Sequence, residues 1–123
     1  MSVLVYIENE EGILKKSAFE AASYGKEIAN LLNTEAISVI IGDIDTSELQ
    51  KLGTYGISKV LHVTNENLKS FVNQAYASII AKAAENEAAS IVILSNTFSG
   101  KGLAPRVATK LEAGLVVGAK TIP

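Results

Sequence analysis

The chain has 123 residues, of which 48% are hydrophobic and 20% are charged, as is usual for one globular domain. Its formal net charge of -2 gives no overall electrostatic attraction to nucleic acid or to an anionic membrane. It has no cysteine, which excludes disulfides, thiolate metal sites and cysteine nucleophiles.

The expected location follows from the apolar runs and from the first residues. No apolar run approaches the roughly 20 residues that a membrane-spanning helix needs. Met1 and Ser2 lead directly into a strand-like run, without the basic and apolar regions of a signal peptide. We therefore expect a cytoplasmic protein that does not insert into a membrane.

Strand and helix signals alternate along the chain. Apolar, β-branched runs predict five strands, at residues 3–7, 36–41, 60–63, 91–94 and 115–117. Ser17, with Glu20 three residues later, forms a capping-box pattern that predicts the start of the first helix. This helix is predicted to bury a face that comprises Ala18, Ala21, Gly25, Ile28, Ala29 and Leu32.

Two further helices are predicted between the second and fourth strands. A short helix through Lys51 is expected, with Thr46 or Ser47 as its cap and with Gly53 and Gly56 ending it. Apolar residues repeat at i, i+3 and i+4 over residues 68–84, with glutamate and lysine on the opposite face. This stripe predicts the best defined helix of the chain, and we interpret it as core rather than as part of a cofactor site.

The alternation of strands and helices predicts the fold class. Apolar runs without strict polar alternation are typical of strands that are covered on both faces. The order of elements predicts an α/β fold of Rossmann-like type, in which a mainly parallel five-stranded sheet is doubly wound into three layers. Residues 1–123 are expected to form this single domain. The extended ending Ile122-Pro123 favours a chain that continues into a further domain.

The loop after the first predicted strand is acidic. A dinucleotide fold needs G-x-G-x-x-G at this position, so that a pyrophosphate can approach the helix start. The chain has Glu8-Asn9-Glu10-Glu11-Gly12 instead, and its three carboxylates would repel a pyrophosphate. We interpret these carboxylates as a hydrated loop, and the alternative is an acidic patch that faces a partner.

The loop after the fourth predicted strand is rich in serine, threonine and glycine, and it carries a lysine and no carboxylate. It leads into a predicted helix with Pro105 and Arg106 in the first turn and Gly114 at its end. Backbone N–H groups, hydroxyls and a lysine could hold an anion or a nucleotide phosphate there. For this fragment alone, the favoured interpretation is a capped helix start whose hydroxyls bond to their own loop. The candidate residues are Ser95, Thr97, Ser99, Gly100, Lys101 and Gly102.

No catalytic or metal site is predicted. His62 is the only histidine and lies within a predicted strand, so a structural or edge-exposed role is favoured over a catalytic one. Asp43 and Asp45 could hold a cation, but a solvated turn that caps the following helix is the favoured interpretation. No serine has a plausible base. The residues therefore indicate a binding or scaffold domain.

The chain resembles the N-terminal domain of the electron transfer flavoprotein alpha subunit over nearly its whole length. The resemblance covers residues 3–23, residues 55–63 and residues 74–77, and it is most specific over residues 99–118. Lys101 and Gly102 replace the usual arginine and aspartate, so that the positive charge is kept and the carboxylate is lost. The matching residues there are Gly100, Leu103, Ala104, Pro105, Arg106, Gly114, Leu115 and Val116.

This resemblance implies a subunit of an electron carrier rather than an enzyme. Such proteins are heterodimers of an alpha and a beta subunit, which pass electrons from flavoprotein dehydrogenases to a membrane quinone reductase or a similar acceptor. The FAD belongs to the C-terminal domain of the alpha subunit, which would lie beyond residue 123. We therefore expect a scaffold domain that binds no flavin itself, and homodimerisation of the isolated chain is left open.

The resemblance also bears on the candidate anion-binding loop at residues 95–102. The family shares its fold with adenine nucleotide alpha hydrolase-like and universal stress proteins, and its beta subunit holds AMP on the corresponding loop. A small nucleotide binder of the universal-stress-protein type, with AMP or ATP, is therefore the alternative. The spacing from Gly102 to Gly114 and the following Leu115 depart from the G-x2-G-x9-G-[ST] signature of that class. An enzyme of adenylyl chemistry would need an early phosphate loop and a base, and the sequence has neither.

Overall fold

Five parallel strands form the central sheet of the fold. The computed structural model describes residues 2–10, 13–14, 16–42, 44–63, 73–94 and 114–117. The strands of the sheet are paired in the order β5-β4-β1-β6-β7, and each neighbouring pair is parallel. They are β1 (Ser2–Ile7), β4 (Glu35–Ile41), β5 (Lys59–Val63), β6 (Ala89–Leu94) and β7 (Gly114–Val117). The predicted α/β class and the five parallel strands are confirmed.

Three described helices cover the two faces of this sheet. They are α1 (Lys16–Leu31), α2 (Thr46–Gly53) and α3 (Asn73–Asn86). Residues of α1 and α2 pack with Val3, Val5 and Ile7 in one hydrophobic cluster. Residues of α3 pack with Leu4 and Tyr6 in a second cluster on the other face. The predicted three-layer arrangement therefore holds for the described helices.

Coverage on both faces explains the composition of the strands. All six residues of β1 are buried, and the apolar residues of β4 and β6 supply most of the remaining core. In a parallel sheet with helices on both sides, apolar residues are needed at every position rather than at alternate ones. The edge strand β5 is less covered, and both Lys59 and His62 are exposed.

A small antiparallel hairpin was not predicted. It consists of β2 (Asn9–Glu10) and β3 (Ile13–Leu14) and lies between β1 and α1. Each strand has only two residues, and asparagine and glutamate are depleted in strands, so neither strand leaves an alternating pattern in the sequence.

Three predictions at helix ends need correction. Helix α1 begins at Lys16, so Ser17 lies inside its first turn, and Leu32 lies in the turn beyond its end, where it is 39% exposed. Helix α2 is preceded by Asp45 as N-cap, rather than by Thr46 or Ser47, and it ends at Gly53 as predicted. Helix boundaries depend on the backbone angles of single residues, which a sequence pattern does not specify.

The long predicted helix is confirmed where the structure describes it. Tyr76, Ile80, Ala83 and Ala84 of α3 are buried against the sheet, and Lys82 is exposed on the opposite side. The first part of the predicted stripe, over residues 68–72, lies outside the described residues. The same is true of the helix predicted after Pro105.

Gly114, which was predicted to stop that last helix, belongs to β7. It pairs with Ile91 as the first residue of the strand. The observed strand therefore starts one residue earlier than predicted, and the glycine lies inside it. No helix within the described residues is both long enough and apolar enough to cross a membrane.

Candidate functional site

The strand order defines where a ligand would bind in this sheet. Successive strands of the central sheet run outward from β1 through β4 to β5, and the chain then crosses to β6 on the other side of β1. In doubly wound sheets, ligands bind in the crevice at the carboxyl ends of the strands where the order reverses. Here that switch point lies between the ends of β1 and β6. These strands pair from Val3 and Ile91 to Val5 and Ile93.

The predicted anion-binding loop starts at this switch point. Leu94 is the last residue of β6 and is fully buried. The candidate residues that follow it in the chain lie outside the described residues, as does Arg106. They are Ser95, Thr97, Ser99, Gly100, Lys101 and Gly102. Their role in anion binding stays a prediction.

The acidic loop that follows β1 at the switch point is described in part. Glu8 directly follows β1 and is only 5% exposed, so the predicted hydrated loop is wrong for this residue. The preceding strand is buried on both faces, and Glu8 stays within that covered region. The side chain of Glu10 and the whole of Glu11 lie outside the description. The Glu8 side chain therefore lies in the covered layer at the end of β1, where a dinucleotide fold has a glycine-rich turn for a pyrophosphate.

Tyr6, two residues before Glu8, contacts a second tyrosine. Tyr6 of β1 and Tyr76 of α3 make an edge-to-face contact, with ring centroids 6.4 Å apart and an interplanar angle of 78°. Burial raises the pKa of Tyr6 far above its ordinary value, and the nearby Tyr76 and Glu8 raise it further. Burial also raises the pKa of Tyr76. Both phenols are therefore neutral at physiological pH and can donate hydrogen bonds within this covered region.

The hairpin occupies the connection between β1 and α1. Asn9 pairs with Leu14, and its Nδ2 donates a hydrogen bond to the carbonyl oxygen of Ile41 at 2.8 Å. This bond ties the hairpin to the carboxyl end of β4. A dinucleotide fold has a tight glycine turn at this place, which leads directly into a helix. The hairpin agrees with the prediction that the first loop is not a dinucleotide site.

His62 fastens the edge strand to the end of β4. Its Nε2 lies 2.6 Å from the carbonyl oxygen of Gly42 and donates to it, because a carbonyl oxygen can only accept. The backbone N–H of Gly42 donates to the carbonyl oxygen of Val63 at 2.9 Å. Gly42 has a φ of 130°, which an L side chain rarely adopts. The predicted structural, edge-exposed role of His62 is confirmed.

The described residues form no metal site. Asp45 is exposed at the N-cap of α2 and makes no capping hydrogen bond through its side chain. The favoured prediction of a solvated turn before this helix therefore holds for Asp45, while Asp43 lies outside the description. Within the described part of the chain, no group of three histidine, aspartate or glutamate side chains could hold a metal ion.

Two features were not predicted from the sequence. They are the contact between Tyr6 and Tyr76 and the hydrogen bond that links the hairpin to β4. Tyr6 and Glu8 are two residues apart, a spacing that places side chains on one face of an extended chain. Tyr76 belongs to the apolar stripe of α3. These signals could have placed Tyr6 and Tyr76 in one layer, but no sequence signal connects Asn9 with Ile41.

Comparison with solved structures places the fold in a known class. The universal stress protein from Archaeoglobus fulgidus has a TM-score of 0.63 and 12% identity, and the match covers 95% of this chain and 97% of that one. At this identity the likeness shows the shared fold, which is an α/β fold of Rossmann-like type.

The family is shown by sequence. Residues 3–123 match the electron transfer flavoprotein domain, and the chain belongs to this family. The electron transfer flavoprotein subunit alpha of Clostridium acetobutylicum is 34% identical over 113 residues, which are 92% of this chain and 34% of that protein. The subunit of the same name from Bacillus subtilis is 34% identical over 114 residues, which are 93% of this chain and 34% of that protein. The chain thus spans about a third of the length of these relatives.

Proposed function

We propose that this chain is the N-terminal scaffold domain of the alpha subunit of an electron transfer flavoprotein. The parent protein would carry electrons from flavoprotein dehydrogenases to a membrane quinone reductase or a similar acceptor, and it would not be an enzyme in its own right. The observation that carries this proposal is the family match, which extends over residues 3–123. The parallel sheet covered on both faces, which the described residues form, supports it as a scaffold.

The flavin is assigned to the part of the parent protein beyond this chain. The described residues do not fit FAD at the first switch-point loop, because a hairpin and the buried Glu8 occupy the place of a glycine-rich phosphate turn. The relatives are about three times as long as this chain, which leaves room for a flavin domain. The role of the present residues would be to support that domain.

The beta subunit is the proposed partner. Two relatives are called electron transfer flavoprotein subunit alpha, and an alpha subunit implies a beta subunit in a heterodimer. The dehydrogenases would be engaged by the assembled complex rather than by this domain alone.

Expression of the full reading frame beyond residue 123, together with a beta subunit, tests the proposal. We expect a flavin-containing heterodimer whose flavin is reduced on addition of a flavoprotein dehydrogenase and its substrate. The 123-residue chain with the same beta subunit is the matched control and should give no reducible flavin. A full-length protein that carries no flavin, or that a panel of such dehydrogenases fails to reduce, would reject the assignment.

A small nucleotide-binding domain is the second candidate function. It is favoured by one observation, namely that the loop after β6 begins at the switch point of a fold shared with universal stress proteins. In this case N–H groups and hydroxyls of residues 95–102 would hold the phosphate of AMP or ATP, and Lys101 would supply the charge. Calorimetry with both nucleotides tests this role. Micromolar binding that is weakened by Lys101→Ala supports it, and no heat of binding rejects it.

A further inference from the structure

We draw no further inference here: the strongest candidate, the exposed apolar end of α1 formed by Leu31 and Leu32, is an unpartnered surface, and nothing in the described part of the chain shows what covers it.

Discussion

Gly25 allows α1 to approach the sheet closely at Val5. A Cβ at this position would overlap Cγ2 of Val5 and would lie 3.6 Å from Cδ1 of Ile93. We expect Gly25→Ala to lower the free energy of unfolding by about 1–3 kcal/mol, because overpacking outweighs the gain in helix propensity of about 1 kcal/mol.

Gly53 provides the matched control for this substitution. It lies in α2, and a Cβ there would meet no atom within 4 Å. Gly53→Ala should leave stability unchanged or raise it by up to about 1 kcal/mol. Urea unfolding of both variants measures the difference. Equal effects of the two substitutions would show that α1 does not pack on Val5 as described.

Tyr6 should make stability depend on pH in the alkaline range. Its pKa is raised in the folded state, mainly by burial, so above the unfolded pKa of about 10 the folded chain binds more protons than the unfolded chain. Its contribution to stability is therefore complete below that pH and falls as the pH rises, by up to about 1.4 kcal/mol per pH unit.

The Tyr6→Phe variant isolates this effect, because it keeps the ring and removes the ionisable hydroxyl. Urea unfolding at several pH values from about 8 upward should show a steeper loss of stability in the parent chain than in the variant. Tyr55→Phe is the control, since the side chain of Tyr55 is 40% exposed. Identical slopes for the parent chain and Tyr6→Phe would mean that the Tyr6 hydroxyl is accessible to water.

At the scale of elements, the residues with positive φ that follow two of the helices differ in how well they tolerate this backbone conformation. Asn33 follows α1 with a φ of 55°, and Ala88 follows α3 with a φ of 51°. Asparagine tolerates this left-handed region, whereas alanine has no side-chain hydrogen bond to offset the steric cost. We expect Ala88→Gly to raise the free energy of unfolding by about 1 kcal/mol.

Ser78 supplies the control for this prediction. It is exposed in the middle of α3, where a glycine adds only backbone freedom. Ser78→Gly should therefore lower stability by roughly 0.5 kcal/mol. Thermal or urea unfolding compares the two variants. If both lower stability alike, Ala88 does not have the left-handed conformation.

The elements of the central sheet could be predicted because each strand contains a run of mainly apolar residues. This signal is strongest where both faces are covered, as in β1 and β6. The hairpin could not be predicted in this way, since its strands are held by two residue pairs and by one side-chain bond from Asn9 to Ile41. The N-cap of α2 depends on the extended backbone of Asp45, with φ -63° and ψ 145°, and a neighbouring threonine or serine suits the same position equally well.

The contacts of the candidate site could be predicted from the sequence less well than the fold could. An acidic residue after a strand is usually hydrated, and only the surrounding layers make Glu8 a buried group near Tyr6. Similarly, the sequence places His62 in a strand, but its bond to Gly42 depends on the pairing of β4 with β5. Such contacts join residues that are far apart in the chain, so they follow from topology rather than from local pattern.

At the scale of the whole molecule, we propose that this domain is a platform and that the redox chemistry of the parent protein belongs to a further domain. The central sheet is covered on both faces by α1 and α2 on one side and by α3 on the other. The first switch-point loop is built as a hairpin next to a buried carboxylate. Such a domain can support a flavin domain, and the chemistry then belongs to that second domain.

The visible absorption spectrum of the purified and dialysed 123-residue chain tests this claim most directly. Expression with FAD in the medium gives the chain every opportunity to bind the cofactor. We predict a colourless protein that remains folded by circular dichroism and shows no flavin band. A folded chain that retains stoichiometric flavin after dialysis would contradict the account, since the cofactor would then belong to this domain.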